Sequence, residues 1–440
     1  MKAQVIGGGL AGCEAAWALA KAGIEVDLFE MKPLKFSPAH HSPGLAELVC
    51  SNSLKAKRIG SAAGMLKEEM RLLGSLLVPC GEETSVPAGG ALAVDRDAFS
   101  ALVTEKIKSH SRIQIVHTEI KDLQFSHPAI IATGPLTSES LSQEIEKLCG
   151  GNLSFYDAAA PIITYDSIDP EKVFFGARYQ RGEDDYINCP FTKEEYEAFY
   201  EALIHAEVAN LAEFDKRQIY EGCMPIEVMA KRGTDTIRYG PMRPVGLKDP
   251  KTGHRPWANV QLRRENREGT LYNIVGFQTN LKFGEQKRVF SMIPGLENAE
   301  FMRYGVMHRN FFIDSPRLLN RDFCFRQNTS LYFAGQITGV EGYMESAMSG
   351  LLAGKYLAAQ IRGITLPDLP EDTMCGALST YISTGGTAEF QPMGANMGIL
   401  PMLDKQVKEK QQRYELLAER GLSHLRETAA AWNQLDIQEG

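Results

Sequence analysis

The sequence predicts an α/β protein whose parallel sheet is assembled from both ends of the chain around an inserted α+β region. Three observations predict this. A strand–glycine–helix–strand unit occupies residues 1–30, and a second strand–glycine–helix unit occupies residues 331–354. Between them the character changes, with more aromatics and prolines and no further G-x-G-x-x-G. In the first unit Ala3 to Ile6 is an apolar run long enough for one buried strand. Gly7, Gly9 and Gly12 then complete G-x-G-x-x-G, with Gly8 between them. Ala11 to Ala22 is rich in helix formers and stops at Gly23, and Ile24 to Phe29 is a second apolar strand ending on Glu30. The glycines serve different ends: one allows the tight turn, one lets the backbone approach a pyrophosphate, and one lets helix pack closely on strand. The helix opening at Leu10 and Ala11 offers free N–H groups and a positive dipole end to the phosphates. Glu30 lies 18 positions after Gly12, where an acid accepts hydrogen bonds from a ribose 2′-hydroxyl. In this order the elements specify a dinucleotide site.

Bulk properties bound the alternatives. With 440 residues the chain has room for two or three domains, and 44% hydrophobic with 23% charged residues is the balance of a soluble globular protein. No apolar run approaches the roughly 18 residues of a membrane span, and strand character from residue 3 leaves no targeting segment. A cytoplasmic location without membrane attachment is therefore expected. The eight cysteines (13, 50, 80, 149, 189, 223, 324, 375) include no C-x-x-C pair, which argues against a zinc ribbon or a disulfide scaffold. No metal site is expected. A net charge of −8 gives no general attraction to nucleic acid, so any such partner needs a local patch.

Onward from Glu30, the proline-punctuated stretch 33–43 reads as a loop leading to Val49-Cys50-Ser51-Asn52-Ser53. The small cap-forming residues after Cys50 place it at a helix N-terminus, where a thiol is acidified; a buried small hydrophobe is the alternative. Residues 62–77 read as an amphipathic helix, Pro87 to Gly90 as a turn, and Asp95 or Asp97 as the start of the next helix. Ile113 to Val116 is a strand, and another runs into Ala132-Thr133-Gly134. In the region 151–325, eight Lys or Arg within 238–267 stand against Asp249, Glu265 and the following Glu268. With Tyr239 and Trp257 among these charges, the stretch suits a surface that contacts phosphates and stacks bases; a solvated basic face is the alternative.

Residues 331–354 return to nucleotide-domain character. Leu331 to Ala334 is a strand, Gly335, Gly339 and Gly342 follow, and a helix starts at Tyr343. Glu341 and Tyr343, just after the glycine turn, are candidates to approach a ligand. A last helix from about Asp404 to Trp432 carries an apolar stripe through Tyr414, Leu417, Ala418, Leu422, Leu425, Ala429 and Trp432. The expected organisation is thus residues 1–150 and 326–440 forming one discontinuous domain, with 151–325 inserted.

Several segments together carry a resemblance: GGGLAGCEAAW, VCSNSLKA, VPAGGALAVDR, ATGPLTSE, EGCMPIE, GPMRPVGL, VGFQTNLKFGEQKR, IPGLENAEFMRYGVMHRN and AGQITGVEGYMESA. Through nearly its whole length the chain resembles the bacterial folate- and FAD-dependent tRNA (uracil-5-)-methyltransferases, relatives of the larger wobble-uridine-modifying flavoproteins. The resemblance implies a Rossmann-like, glutathione-reductase-like FAD-binding domain, with Gly7, Gly8, Gly9, Leu10, Ala11, Gly12, Glu30, Gly335, Gly339, Glu341 and Tyr343 toward the cofactor. It implies C5-methylation of a uridine in the tRNA T-loop. Methylenetetrahydrofolate is then the carbon source, reduced FAD the carrier and reductant of the one-carbon unit, and NAD(P)H the electron donor.

Two cysteines match the functional ones of that family, Cys50 in VCSNS and Cys223 in EGCMPIE. Cys223 is expected to add to uracil C6 and Cys50 to sit near the flavin and assist proton transfer, with the exchange of roles open. His308 and Arg309, with Asn310, are candidates for the folate slot, and Arg263 and Arg264 for RNA contact. No obligate protein partner is expected. Ribosomal RNA as substrate, a flavin-dependent oxidoreductase, and a non-catalytic flavin-binding subunit are the competing readings. The oxidoreductase is disfavoured because no C-x-x-x-x-C pair follows the first unit.

Overall fold

The computed structural model describes residues 1–151, 153–180, 185–209, 224–305, 307–384 and 390–437. Its first sheet has the order Cys324–Phe325, Asn328–Phe333, Ala129–Ile131, Lys2–Ile6, Glu25–Glu30, Ile113–His117. All neighbours are parallel except the antiparallel pair at the Cys324–Phe325 edge. Leu331, Tyr332 and Phe333 lie opposite Ala129, Ile130 and Ile131, so the strand from late in the chain completes a sheet begun by the first six residues. Buried runs such as Ala3, Val5 and Ile6, or Ile130 and Ile131, are apolar on successive residues because helices cover both faces.

The first helix, Leu10–Lys21, packs on the helix Tyr343–Arg362 through small residues. A side chain at Gly350 would meet the Ala11 carbonyl oxygen at 2.0 Å, and one at Gly354 the Ala15 oxygen at 2.8 Å. The expected helix over 62–77 is two helices, Ala62–Leu72 and Leu77–Glu83, because Gly74 turns the chain at φ 83°. Asp95 caps the helix Arg96–Ser109, its carboxylate accepting from Ala98 N–H at 2.9 Å. The C-terminal helix begins at Lys410 rather than Asp404, where Glu409 caps it, and its stripe buries Leu417, Ala418, Leu422, Leu425, Ala429 and Trp432.

A second sheet is antiparallel throughout, in the order Phe174–Phe175, Tyr186–Phe191, Ala258–Arg264, Leu271–Ile274, Ile162–Thr164, Phe301–Arg303. It has its own core, in which Phe199, Phe277 and Phe290 pack in sequence. Two smaller ladders complete the strand pairing. Leu153–Ala158 pairs with Met307–Phe312, and Ser53–Ala56 joins Ala91–Val94 and Ser85–Val86. Among the described residues no helix is long and apolar enough to cross a membrane.

Two buried carboxylates organise helix starts from a distance. Glu14 accepts from Ser75 Oγ and from the N–H groups of Leu76 and Leu77, both at 3.0 Å, at the start of Leu77–Glu83. Glu69 accepts from Met374 N–H at 2.8 Å and Cys375 N–H at 2.7 Å, at the start of Met374–Thr384. Burial pushes both carboxyls up to about 7. Since these values exceed those of the unfolded chain, the native state holds protons that the unfolded state has released. Their contribution to stability is fully present below about pH 4.5 and is lost as pH rises through 7. The melting temperature is therefore expected to fall between pH 5 and pH 8, and to fall less in Glu14→Gln and Glu69→Gln, as calorimetry across that range will measure.

Candidate functional site

The C-terminal ends of the parallel strands open onto one cleft, containing about 830 Å³ of space with its solvent-filled mouth included. Its walls are Gly7 to Ala11, Glu30, the segment Ala132 to Leu136, and, from late in the chain, Gly335, Gln336, Tyr343 and Ser346. A second, smaller cavity of about 370 Å³, its mouth likewise included, lies on the other side of Glu30, toward Thr118 and Glu119.

The glycines take up the separate roles that the motif predicts. Gly7 has φ 102° and faces the Ala132 carbonyl, where a side chain would come within 2.7 Å. Gly12 lies against Gly7, whose oxygen would be 1.8 Å from an added Cβ. A Cβ on Gly9, by contrast, would meet nothing within 4 Å: it would project into the open cleft. Gly9 precedes the first helix, and no side chain caps that helix, so its leading N–H groups are left for a ligand. These residues fit a dinucleotide pyrophosphate. Glu30 is buried, accepting from Gly8 N–H at 2.7 Å and Lys32 N–H at 2.9 Å. It thereby fixes the glycine turn as well as facing both cavities. Lys32, which no sequence motif singles out, donates to the Gly44 carbonyl at 2.6 Å and pairs with Glu47 at 3.3 Å, which holds the 33–47 loop over the cleft.

On the opposite wall, Gly335 and Tyr343 line the cleft, whereas Gly339 and Glu341 stand back from it. Gly339 (φ 82°) closes against the Phe390 ring, and buried Glu341 accepts from Gln336 Nε2 at 2.6 Å. The helix from Tyr343, like the first, has a glycine before it and no side-chain cap.

Cys50 is half-buried, and its placement corrects the expected helix N-terminus. The chain enters the strand Ser53–Ala56, because Ser53 pairs with Ala93 and the sheet claims the N–H groups a helix would need. The Tyr343 hydroxyl accepts from the N–H groups of Cys50 (2.7 Å) and Ser51 (3.1 Å). Burial pushes that phenol up, so it stays neutral. The Cys50 carbonyl accepts from Arg96 at 3.2 Å and Arg303 at 3.3 Å. Cys223, the other singled-out thiol, lies outside the described residues. The remaining described cysteines are poor nucleophiles: burial pushes Cys80 and Cys149 up to about 12 and Cys324 to about 11, and it raises Cys13, Cys189 and Cys375 as well.

Arg263 also requires correction. It is not a surface cation for RNA: it is 8% exposed, donating to Asn52 Oδ1 at 2.8 Å and Ser51 Oγ at 2.7 Å beneath the Cys50 segment. Arg264, its neighbour on the strand, is half-buried. The exposed part of the basic stretch is Arg243, Lys248, Lys251, Arg255 and Arg267, with Tyr239 and Trp257. Arg238 stacks on Trp257 with its guanidinium carbon 3.9 Å from the ring centroid. His308 and Arg309 lie on the strand Met307–Phe312, opposite Asp157 and Tyr156. That strand adjoins the cleft, since Phe311 N–H donates to the Pro135 carbonyl at 3.2 Å. Buried Asn310 is on the same strand.

Comparison with known proteins adds the following. The family described as "Glucose inhibited division protein A" matches residues 2–365. A protein of Acetivibrio thermocellus named methylenetetrahydrofolate--tRNA-(uracil-5-)-methyltransferase TrmFO is 55% identical over 431 residues, 98% of this chain and 99% of that protein. The Bacillus pumilus protein of the same name is 56% identical over 420 residues, 95% and 96% of the two chains. Among solved structures, Aquifex aeolicus GidA in its form II crystal has a TM-score of 0.72 at 16% identity, covering all of this chain and 74% of that one, a likeness of fold.

The glycine geometry makes a discriminating prediction. Gly9→Val is expected to leave the melting temperature nearly unchanged while weakening FAD binding by at least about tenfold. Gly12→Ala, with a 1.8 Å clash to relieve, is expected to lose stability first. Flavin-fluorescence titration and thermal melts on both variants separate the two effects.

Proposed function

The chain belongs to the glucose inhibited division protein A family and, within it, to the methylenetetrahydrofolate--tRNA-(uracil-5-)-methyltransferases; on that premise we propose how its residues divide the work. The reaction is C5-methylation of a uridine in tRNA with the carbon of methylenetetrahydrofolate, and the target is a T-loop uridine. The 55% identity across 98% of the chain, together with a cleft built for a dinucleotide, carries this reading. FAD, when bound, carries and reduces the one-carbon unit, with NAD(P)H as electron source.

The chain's own residues bind, orient and move protons. The Gly7–Gly12 turn and the first helix N-terminus hold the pyrophosphate. Glu30 keeps lone pairs for the ribose hydroxyl beyond the two it gives to Gly8 and Lys32. Gly335 and Tyr343, which line the other wall of the cleft, and the second helix N-terminus would hold the ring end, with Glu341 steadying Gln336 behind them. The Cys223 thiolate forms a bond to uracil C6, and the displaced electron pair makes C5 the nucleophile that takes the one-carbon unit. The C5 proton then leaves to a base, a role we assign to Cys50, and breaking of the C6–S bond restores the ring. His308, Arg309 and Asn310 form the folate slot.

Residues 1–150 and 326–440 serve as the FAD-binding part, and 151–325 as the part that faces RNA. The tRNA surface is the exposed set Arg243, Lys248, Lys251 and Arg255 with the Arg238–Trp257 stack and Tyr239, and Arg264 lies at its margin. The protein works in the cytoplasm without an obligate protein partner.

The test is nucleoside mass spectrometry after incubation with methylenetetrahydrofolate, NADH, FAD and unmodified tRNA. Formation of 5-methyluridine is expected, reduced by about 10²-fold or more in Cys50→Ala and in Cys223→Ala. Full methylation by Cys223→Ala removes that thiol from the mechanism, and methylation of ribosomal RNA alone replaces the substrate. Affinity for tRNA is expected to drop steeply between roughly 50 and 200 mM salt, and to drop further in Arg238→Gln/Arg255→Gln.

A further inference from the structure

Three arginines from three separate elements converge on the Cys50 segment. Arg96, on the helix Arg96–Ser109, donates to the carbonyls of Leu48 and of Cys50. Arg303, at the end of the strand Phe301–Arg303, donates to the same Cys50 carbonyl. Arg263 donates to Ser51 and Asn52, the next two residues. Among the described residues one carboxylate pairs with them: Glu265, 3% exposed, which meets Arg96 at 2.6 Å. The neutral Tyr343 phenol is also bonded to the segment, and nearby Lys55 and Glu345 neutralise each other at 2.7 Å. Three guanidiniums thus face one carboxylate, and the buried Arg303 Nε has no hydrogen-bond partner among the described residues.

We propose that Arg96, Arg263 and Arg303 are positioning residues that hold Cys50 as a thiolate at neutral pH, with Arg303 supplying charge that no ion pair among the described residues takes up. The proposal rests on the reading of Cys50 as a reactive thiol. Negative charge on Cys50 is favourable to all three guanidiniums. Burial weakens the protonated form of Arg263 and Arg303, while Arg96, despite burial, is held charged by Glu265. An anion at Cys50 supplies what Arg263 and Arg303 lack. The arginine hydrogen bonds run to the Cys50 carbonyl, to Ser51 and to Asn52, and so fix the segment that carries the sulfur.

The test reads the thiol directly, without RNA or folate. The FAD-saturated chain is alkylated with iodoacetamide from pH 5.5 to 9.5, and the Cys50 peptide is quantified by mass spectrometry; sulfur bonds to carbon and iodide leaves. The expected inflection for the native chain is at least about one unit below the 8.5 of an ordinary thiol. In Arg303→Gln it moves up by about one unit, with roughly tenfold slower alkylation at pH 7. Arg303→Lys, which keeps the charge, is expected to stay near the native profile. A native inflection at the ordinary value, or one unmoved by Arg303→Gln in a chain that still binds FAD, overturns the proposal. If Arg303→Gln does not fold, Arg303→Lys and the native profile still decide: a native inflection at the ordinary value, or an Arg303→Lys profile shifted as far as loss of the charge predicts, overturns it. Failure of tRNA methylation with an intact alkylation profile refutes the proposed function and spares this inference.

Discussion

Backbone against backbone, the first helix and the helix Tyr343–Arg362 meet with almost no side chain between them. Gly350 and Gly354 sit where any Cβ would enter the carbonyls of Ala11 and Ala15. That constraint fixes both helix starts on the same cleft, one after Gly9 and the other after Gly342, and neither start is capped by a side chain. Elsewhere in the same layer, buried helix starts are satisfied internally: Ser61, Asp95 and the distant carboxylates Glu14 and Glu69 take up their N–H groups. The two uncapped starts therefore leave donors and positive dipole ends facing one cavity. A negatively charged ligand that spans it satisfies groups the protein leaves open.

How much of this is legible in the sequence depends on the range of the forces involved. The first thirty residues are governed by local sterics. The tight turn, the open Gly9 and the packed Gly12 follow from three glycines at fixed spacing, and each stands where the motif places it. The late unit is half legible. Gly335 and Tyr343 reach the cleft, but whether Gly339 and Glu341 do depends on Phe390 and Gln336, about which the local pattern says nothing. The Cys50 segment misleads because Ser-Asn-Ser satisfies a helix cap and an edge strand equally well, and Ala93, forty residues on, decides between them. Arg263 misleads for a geometric reason. Adjacent strand residues point to opposite faces, so counting charges along 238–267 adds a cation buried beneath Asn52 to those that meet solvent. Arg96 and Arg303 give no local signal, since their partners lie 46 and 253 positions away.

The seam between the two sheets is where these distant partners matter. Asn52, fully buried, donates to the carbonyls of Val94 on one side and Arg264 on the other, and accepts from Arg263. Arg96 and Glu265 span the same seam as an ion pair, and Asp185 and Tyr186 reach across to Gly89 and Ala88. A buried pair of this kind is a weak source of stability, because desolvation consumes most of its attraction; breaking one partner is what is costly, at about 3–5 kcal/mol. Its value is geometric. The cofactor cleft belongs to the parallel sheet, while Arg263 and Arg303 belong to the antiparallel one. Cys50 belongs to neither core, and is held by both. A sulfur mounted on this seam, as the proposed role of Cys50 requires, keeps its register with the cleft only while the two sheets stay in register with each other. For that reason the residues that lock the seam and the residues proposed to charge the thiol are the same arginines.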